Sequence, residues 1–546
     1  MKTKRAAADL LLYNGVVATQ VPDRAPAQAV ALARGRILAV GTDDALLAIA
    51  TAKTERIDLA GRLVVPGFID THIHFYEWAL KRQGLRLDDV DRLETLLDRL
   101  RTAASNRPAG QWIMGQGWNE TDWEVPRMPT RDLLDQAAPR HPVLLWRCDL
   151  HLAAANSAAL ALAGIDAHSA DPPEGRIERD ASGTPTGILR ELAINLVREA
   201  VAAPEAAQIL EAYQEATEAL YRRGVTAIHD VRLMADQDGA RALGAFQSLD
   251  REGRLGLRAW VTLPGERLDD LIALGLHTGF GNDRLRLGHV KFFSDGGVGA
   301  RTAWMIDPFL DGKNGFSRGL PLMEMDDLAD RIRRADAAGL SVMVHAVGDR
   351  ANRELITRFE KIEALRRRHK VPPLPIPHRI EHVQIIRPED IARLRRLNLA
   401  LCVTPGNMIL DINLIDTAVG EMGRWAYAVR PLIESGAPVM FSSDCPVCDP
   451  SPLTGIHAAV TRQRDDGTPA EGWYPQNRTS VNEAIRAYTA VPAVVHQAHD
   501  LGTIAPGCKA DLAILSENLL AAPPSRIPEV RVDMTVFNGR IVHRLF

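Results

Sequence analysis

The sequence predicts an α/β protein built on a (β/α)8 TIM barrel, and three observations carry that reading. Eight short apolar segments alternate with helix-like segments between Val64 and Asp444, the pattern of a parallel sheet closed by crossovers. The two chain ends share a different texture of short alternating strands, which predicts one composite β-sandwich domain made from both. The stretch between the first two barrel strands is several times longer than a crossover of about 10–12 residues, so it predicts an insertion after barrel strand 1.

Taken in order, residues 8–66 hold DLLLYNGVVAT, AVALARGRILAVG and ERIDLAGRLVV, and Asn14-Gly15 predicts a type I′ hairpin between the first two runs. Lys509 to Glu517 and Asp533 to Phe546 repeat the texture, with Asn538-Gly539 as a second hairpin turn. Residues 1–66 and 500–546 are therefore assigned to the composite β-sandwich. VVPGFIDTHIH, Val64 to His74, opens the barrel, which is assigned to 67–84 and 187–499. Between these lies 85–186, read as a subdomain over the barrel mouth; it holds the tryptophan-rich QWIMGQGWNETDW and the strand PVLLWRCDLH. The other seven barrel strands are VTAIHDV, LGLRAWVTL, LRLGHVKFFSD, SVMVHAVGD, HRIEHVQ, LALCVTP and PVMFSSD. Helix signals fall between them: Pro204-Glu205 opens an amphipathic run that Gly224 stops, and Asp326 to Gly339 is bounded alike.

Composition narrows the function. The 546 residues are 46% hydrophobic and 25% charged with a formal net charge of −4, so neither a nucleic-acid partner nor a membrane surface is implied. The N-terminus lacks the apolar core of a signal peptide and no stretch approaches a membrane span. Five scattered cysteines make no disulfide framework, and a cytoplasmic location is the simplest expectation. The partner expected is a small-molecule substrate.

Chemistry concentrates at strand ends. Successive strand side chains alternate faces, so His72 and His74 project from one side and can grip one metal ion. Lys291, His345, His382 and Asp444 lie in or at the ends of strands four, five, six and eight, and a closed barrel brings such positions to one mouth. Each has an ordinary alternative: a core histidine at 345, a hydrogen bond between His382 and its neighbour Glu381, a helix cap at Asp444. The six together point to a metal site. Cys445 and Cys448 have CxxC spacing without a redox context, the glycines at 296, 297 and 299 are read as letting a loop approach substrate, and the arginine runs 366–368 and 393–396 are read as solvated faces.

These segments resemble the metal-dependent amidohydrolase superfamily, and most of all the amidohydrolase-3 branch that includes N-substituted formamide deformylase. The resemblance rests on PGFIDTHIH, VKFFSDGGVGARTAWM, VHAVGDRA, RIEHVQ, FSSDCPV and GTIAPGCKADLAIL, and WRCDLHLAAANSAAL resembles that branch's insertion. It implies one or two divalent metals, usually zinc: His72 and His74 on the more buried ion with Asp444, His345 and His382 on the second, and Lys291 bridging them. A protonated lysine has no lone pair, so bridging requires a neutral amine that adds carbon dioxide to become N6-carboxylysine. A mononuclear site with Lys291 paired to Asp444 or Asp295 is the competing arrangement. The expected reaction is hydrolysis of a C–N bond in a linear amide such as an N-substituted formamide or N-acyl compound, with Asp444 as general acid and base. The alternatives are a deaminase or cyclic-amide hydrolase on the same scaffold, and a noncatalytic relative. His151, His229, Trp118 and Arg301 are the substrate-binding candidates, and Trp118 with Trp123 predicts an apolar or aromatic substituent. A homodimer is the family-level expectation for assembly.

Overall fold

The computed structural model describes residues 7–82, 84–202, 204–233, 239–310 and 317–546. The first six residues, which the sequence reading places in the terminal β domain, lie outside the described set.

All eight expected strands form one parallel sheet. We number them β1 (Phe68–Ile73), β2 (Val225–Asp230), β3 (Arg258–Pro264), β4 (Leu285–Phe293), β5 (Val342–Ala346), β6 (His378–His382), β7 (Leu399–Val403) and β8 (Val439–Phe441). Every residue of β1, β2 and β5 to β8 is buried, as a sheet covered by helices outside and side chains inside requires. The barrel closes between β8 and β1: Ile73 bridges Cys445 in parallel, the Asp444 amide donates to the His72 carbonyl at 2.8 Å, and the His74 amide donates to the Cys445 carbonyl at 2.8 Å. Closure thus sets Asp444 beside His72 and His74, from the opposite end of the barrel sequence.

The crossovers obey local rules. The helix Ala206–Tyr221 starts with a reciprocal capping box between Glu205 and Gln208, and Gly224 leaves it at φ +75°, where a Cβ would fall 2.9 Å from that of Ala513. The arginine run at 366–368 departs from its expected solvated role at one position: Arg366 is buried and paired with Asp336 and Glu363.

The chain ends pair as expected. A five-stranded sheet joins Val16–Val17 and Leu63–Pro66 to Leu512–Leu515, Val532–Phe537 and Arg540–Arg544, and packs its core against a four-stranded sheet of N-terminal strands. Asn538 and Gly539 both have positive φ and make the expected tight hairpin. Asn14-Gly15 does not. Leu10–Tyr13 lies in the four-stranded sheet and Val16–Val17 in the other, so the pair carries the chain between sheets; the hairpin turn in this region is Arg34-Gly35. A buried two-pronged ion pair, Arg258 on β3 with Asp511 at 2.6 and 3.1 Å, ties this domain to the barrel.

The insertion is a six-stranded sheet from Leu85 onward. Its last strand in the chain, Pro185–Glu191, runs past the boundary assigned at 186 because it pairs on both sides, with Leu152–Ala155 and Gly175–Arg179. Among the described residues no helix is long and apolar enough to cross a membrane.

Candidate active site

The alternation of β1 puts Asp70 and His72 on one face, and His74, one residue past the strand at the start of the next helix, keeps its ring centroid 5.3 Å from that of His72. Asp70 accepts from the amides of His72 and Ser443, which locks the β1 end to the β8 end. His72 Nδ1 faces Glu381 Oε2 at 2.6 Å, and His74 Nδ1 faces the Val231 carbonyl at 2.9 Å. Acceptors at both Nδ1 atoms fix the tautomer with Nδ1 protonated, so each ring presents a bare Nε2. Those two Nε2 atoms lie 3.3 and 3.4 Å from Asp444 Oδ1.

Asp444 adopts φ +57° just past β8, an uncommon conformation for a residue with a side chain, and His382 does so at φ +67° at the end of β6. Both turns aim side chains back at the mouth. The His382 ring centroid is 5.0 Å from that of His72 and 4.6 Å from that of His345, and its Nδ1 lies 3.9 Å from Asp444 Oδ2. Lys291 is buried on β4, 4.5 Å from the Phe293 ring centroid. The six sequence candidates for ligation therefore meet at one rim.

Burial sets the charges. It holds His72, His345 and His382 well below the usual imidazole range, helped by neighbouring imidazoles and Lys291, so all three are neutral lone-pair donors. Burial also brings Lys291 down to about 8. Burial works against the charge of Asp444, yet its carboxyl lies below the usual carboxylate range, with the Lys291 ammonium among the positive charges that face it. Asp295, the other partner considered for Lys291, accepts from the amides of Trp304, Val347 and Gly348, a loop-holding role.

The donor set fits a divalent cation. His72 Nε2 is fully buried without a hydrogen-bond partner, and His72, His74 and Asp444 hold their ligand atoms within 4.8 Å of one another. A tetrahedral ion with bonds of about 2.0–2.1 Å spaces its ligand atoms at roughly 3.3 Å, the spacing seen from each imidazole to the carboxylate. A second grouping, His72 with Glu381 and Cys402, is internally satisfied: Arg379 donates to Glu381, and burial pushes the Cys402 thiol up to about 12.

A cavity of about 40 Å³ opens above His345, His382 and Asp444. His151 lines it from the insertion, its ring centroid 5.5 Å from that of His345. Burial works against a charge on His151, yet Glu191 Oε2, 2.7 Å from its Nδ1, carries it up to about 9. Gly297 and Gly299 line the same cavity, but their lack of side chains serves the insertion: a Cβ at 297 would stand 2.9 Å from the His151 ring, and one at 299 would strike Asp149.

Three substrate-binding expectations need correction. Trp118 is wholly buried in the core of the insertion with Leu87, Leu145 and Trp123, because its strand is interior to that sheet; Trp123 is buried there too. The pair therefore gives no reading of the substrate. His229 lies in the barrel floor between Trp260 and His496, accepting from Arg379. Arg301 turns back on its own loop, donating to the Val298 carbonyl at 2.7 Å over the Phe309 ring. Glu381 is the fourth departure, since it bonds His72 rather than His382.

The far wall of the cavity carries residues that the sequence does not single out. Asn407 donates to Asp444 Oδ2 at 3.2 Å, and Tyr427 and Gln384 both donate to Asp411, whose carboxyl burial pushes up to about 6. Two signals were present: Asn407 follows the C-terminal end of β7, and Gln384 stands two residues beyond His382.

Comparison with known proteins bears on the reaction. The amidohydrolase family profile matches residues 55–543. The chain is 32% identical to Protein LONG AFTER FAR-RED 3 of Arabidopsis thaliana, covering 94% of this chain and 88% of that one. It is 29% identical to the N-substituted formamide deformylase of Arthrobacter pascens, over 97% of each. An uncharacterised metal-dependent hydrolase from Pyrococcus furiosus superposes with a TM-score of 0.71 at 30% identity, covering 94% of this chain and 99% of that one.

Proposed function

The chain belongs to the amidohydrolase family, and we propose that it hydrolyses the C–N bond of a small linear amide, an N-substituted formamide or N-acyl compound. One observation carries the reading: two bare imidazole Nε2 atoms converge on one carboxylate oxygen at the mouth of a closed barrel. His72, His74 and Asp444 would hold a divalent cation, taken as zinc. His345 and His382 would hold a second, with Lys291 as a carbamate between them. Such a cation supplies Lewis acidity at the carbonyl and acidifies water towards neutrality.

The rest is the work of the chain. Asp444, ionised and held by Asn407, accepts the proton of the attacking water and returns it to the departing nitrogen. His151, charged through Glu191, stands across the cavity as a hydrogen-bond donor to the substrate. The insertion and the glycine loop wall one side of the cavity above the ligand residues.

The test is a product assay on the zinc-loaded protein with N-alkylformamides, N-acyl amines, cyclic imides and aminopurines. Release of formate or a carboxylic acid together with an amine supports the proposal. Ammonia from an exocyclic amine, or a ring-opened acid alone, replaces it with one of the alternative chemistries. Failure to bind metal removes the catalytic reading.

The His151–Glu191 pair also gives a pH signature in the metal-free protein. Its folded pKa of about 9 exceeds the free value of 6.5, so its stabilisation is complete below about 6.5 and lost as pH rises through about 9. Denaturant melts of wild type and His151→Gln should differ most at pH 6 and converge above pH 9. A constant difference across that range contradicts the pairing.

A further inference from the structure

Below the metal ligands the barrel floor holds polar side chains with no part in the reaction above. Arg379, Glu381, His229, His289 and His496 are all buried there, each with at most 2% of its surface exposed. Arg379 is the hub, and all five of its N–H groups are engaged. Nε donates to Glu381 Oε1 at 2.9 Å, and Nη2 donates to Glu381 Oε2 at 2.9 Å and to the Thr71 carbonyl at 2.8 Å. Nη1 faces His229 Nδ1 at 2.9 Å and His496 Nε2 at 3.4 Å. His496 gives its own proton, on Nδ1, to the Pro492 carbonyl at 2.8 Å, which leaves its Nε2 as the acceptor that Arg379 requires.

Glu381 lies between this hub and the site. Arg379 and Glu381 are two apart on β6 and share its inward face, and Glu381 Oε2 meets His72 Nδ1 at 2.6 Å. A carboxylate bracketed by guanidinium on both oxygens has no proton to give, so the proton in this bond belongs to His72. The Thr71 carbonyl, held by the same guanidinium, fixes the backbone immediately before that histidine.

We propose that Arg379 is a positioning residue: through Glu381 it holds His72 in the Nδ1–H tautomer and so presents its Nε2 lone pair at the mouth. The inference rests on the reading of His72 as a metal ligand. A purely structural arginine would brace the floor without setting that proton.

Zinc affinity by competition with a chelator, together with ¹⁵N NMR of histidine-labelled metal-free protein, tests it. His72 is assigned by comparison with His72→Gln. In wild type the His72 signals should report a protonated Nδ1 and a bare Nε2. Glu381→Gln keeps the shape but lets an amide N–H face Nδ1, moving the ring proton to Nε2; zinc affinity should fall by about 10–100-fold, the usual effect of losing an outer-shell partner. Arg379→Lys, which cannot clasp both oxygens, should fall in the same direction with an unchanged circular dichroism spectrum. Folded variants that bind zinc like wild type overturn the proposal, and so does a wild-type His72 protonated on Nε2, a result that needs no variant to fold. Wild type that carries the expected tautomer but binds no zinc defeats instead the metal reading beneath it.

Discussion

Asp444→Asn is expected to lower kcat by roughly 10²–10⁴-fold, the contribution of a positioned general acid–base group. The amide keeps the size and the neighbours of the carboxylate but cannot take a proton from water near neutral pH. Asp444 also faces both histidines of β1, so the substitution weakens metal binding as well, and the assay needs saturating zinc to separate the two effects. Under saturation, the loss should fall on kcat with KM little changed, because the group acts when protons move rather than when substrate docks. Asn407 donates to the native carboxylate, whose pKa lies below the free carboxylate range, so the acid limb of the wild-type pH profile should lie there too. A variant that keeps more than a tenth of wild-type kcat with zinc in place would assign the proton transfer elsewhere.

The parts of this site that could be read from the sequence are those fixed by period and by closure. His72 takes its face from strand alternation and His74 stays beside it one residue past the strand end, and His345, His382 and Asp444 meet them because eight parallel strands close on themselves. The illegible parts depend on neighbours brought by the fold. Nothing in RIEHVQ says that Glu381 reaches across the barrel to His72 instead of bonding the histidine beside it. Trp118 carries the composition of a substrate wall, yet its strand is interior to the inserted sheet and the ring packs among leucines. Asn14-Gly15 carries the hairpin signal, but the strands on either side prefer different sheets, each covering one face of the terminal core. Local propensity found a change of direction at Asn14, which has positive φ, but the strands beside it pair elsewhere and no type I′ hairpin forms.

If Lys291 bridges two ions as proposed, Lys291→Ala should remove the second metal and lower activity by more than the roughly 10–100-fold typical of a lost outer-shell partner. Burial brings the amine from its ordinary 10.5 down to about 8. At pH 7 about one such lysine in ten is neutral, against fewer than about one in a thousand for an exposed lysine. The neutral nitrogen would attack carbon dioxide, form a C–N bond and release a proton, and Glu381 would repel the carbamate anion little, because Arg379 already neutralises that carboxylate. Neutral His72, His345 and His382 around it leave room for cationic charge that the carbamate would balance. Alanine vacates the volume of the side chain, so a short carboxylic acid can place two oxygens there; propionate should restore part of the activity of Lys291→Ala and none of that of Asp444→Asn. In wild type, ¹³C-labelled bicarbonate should yield a carbamate resonance that appears with zinc and is absent from Lys291→Ala. Stoichiometry of two zinc ions for wild type and one for the variant completes the test, and full activity at one zinc per chain without that resonance would establish the mononuclear arrangement instead.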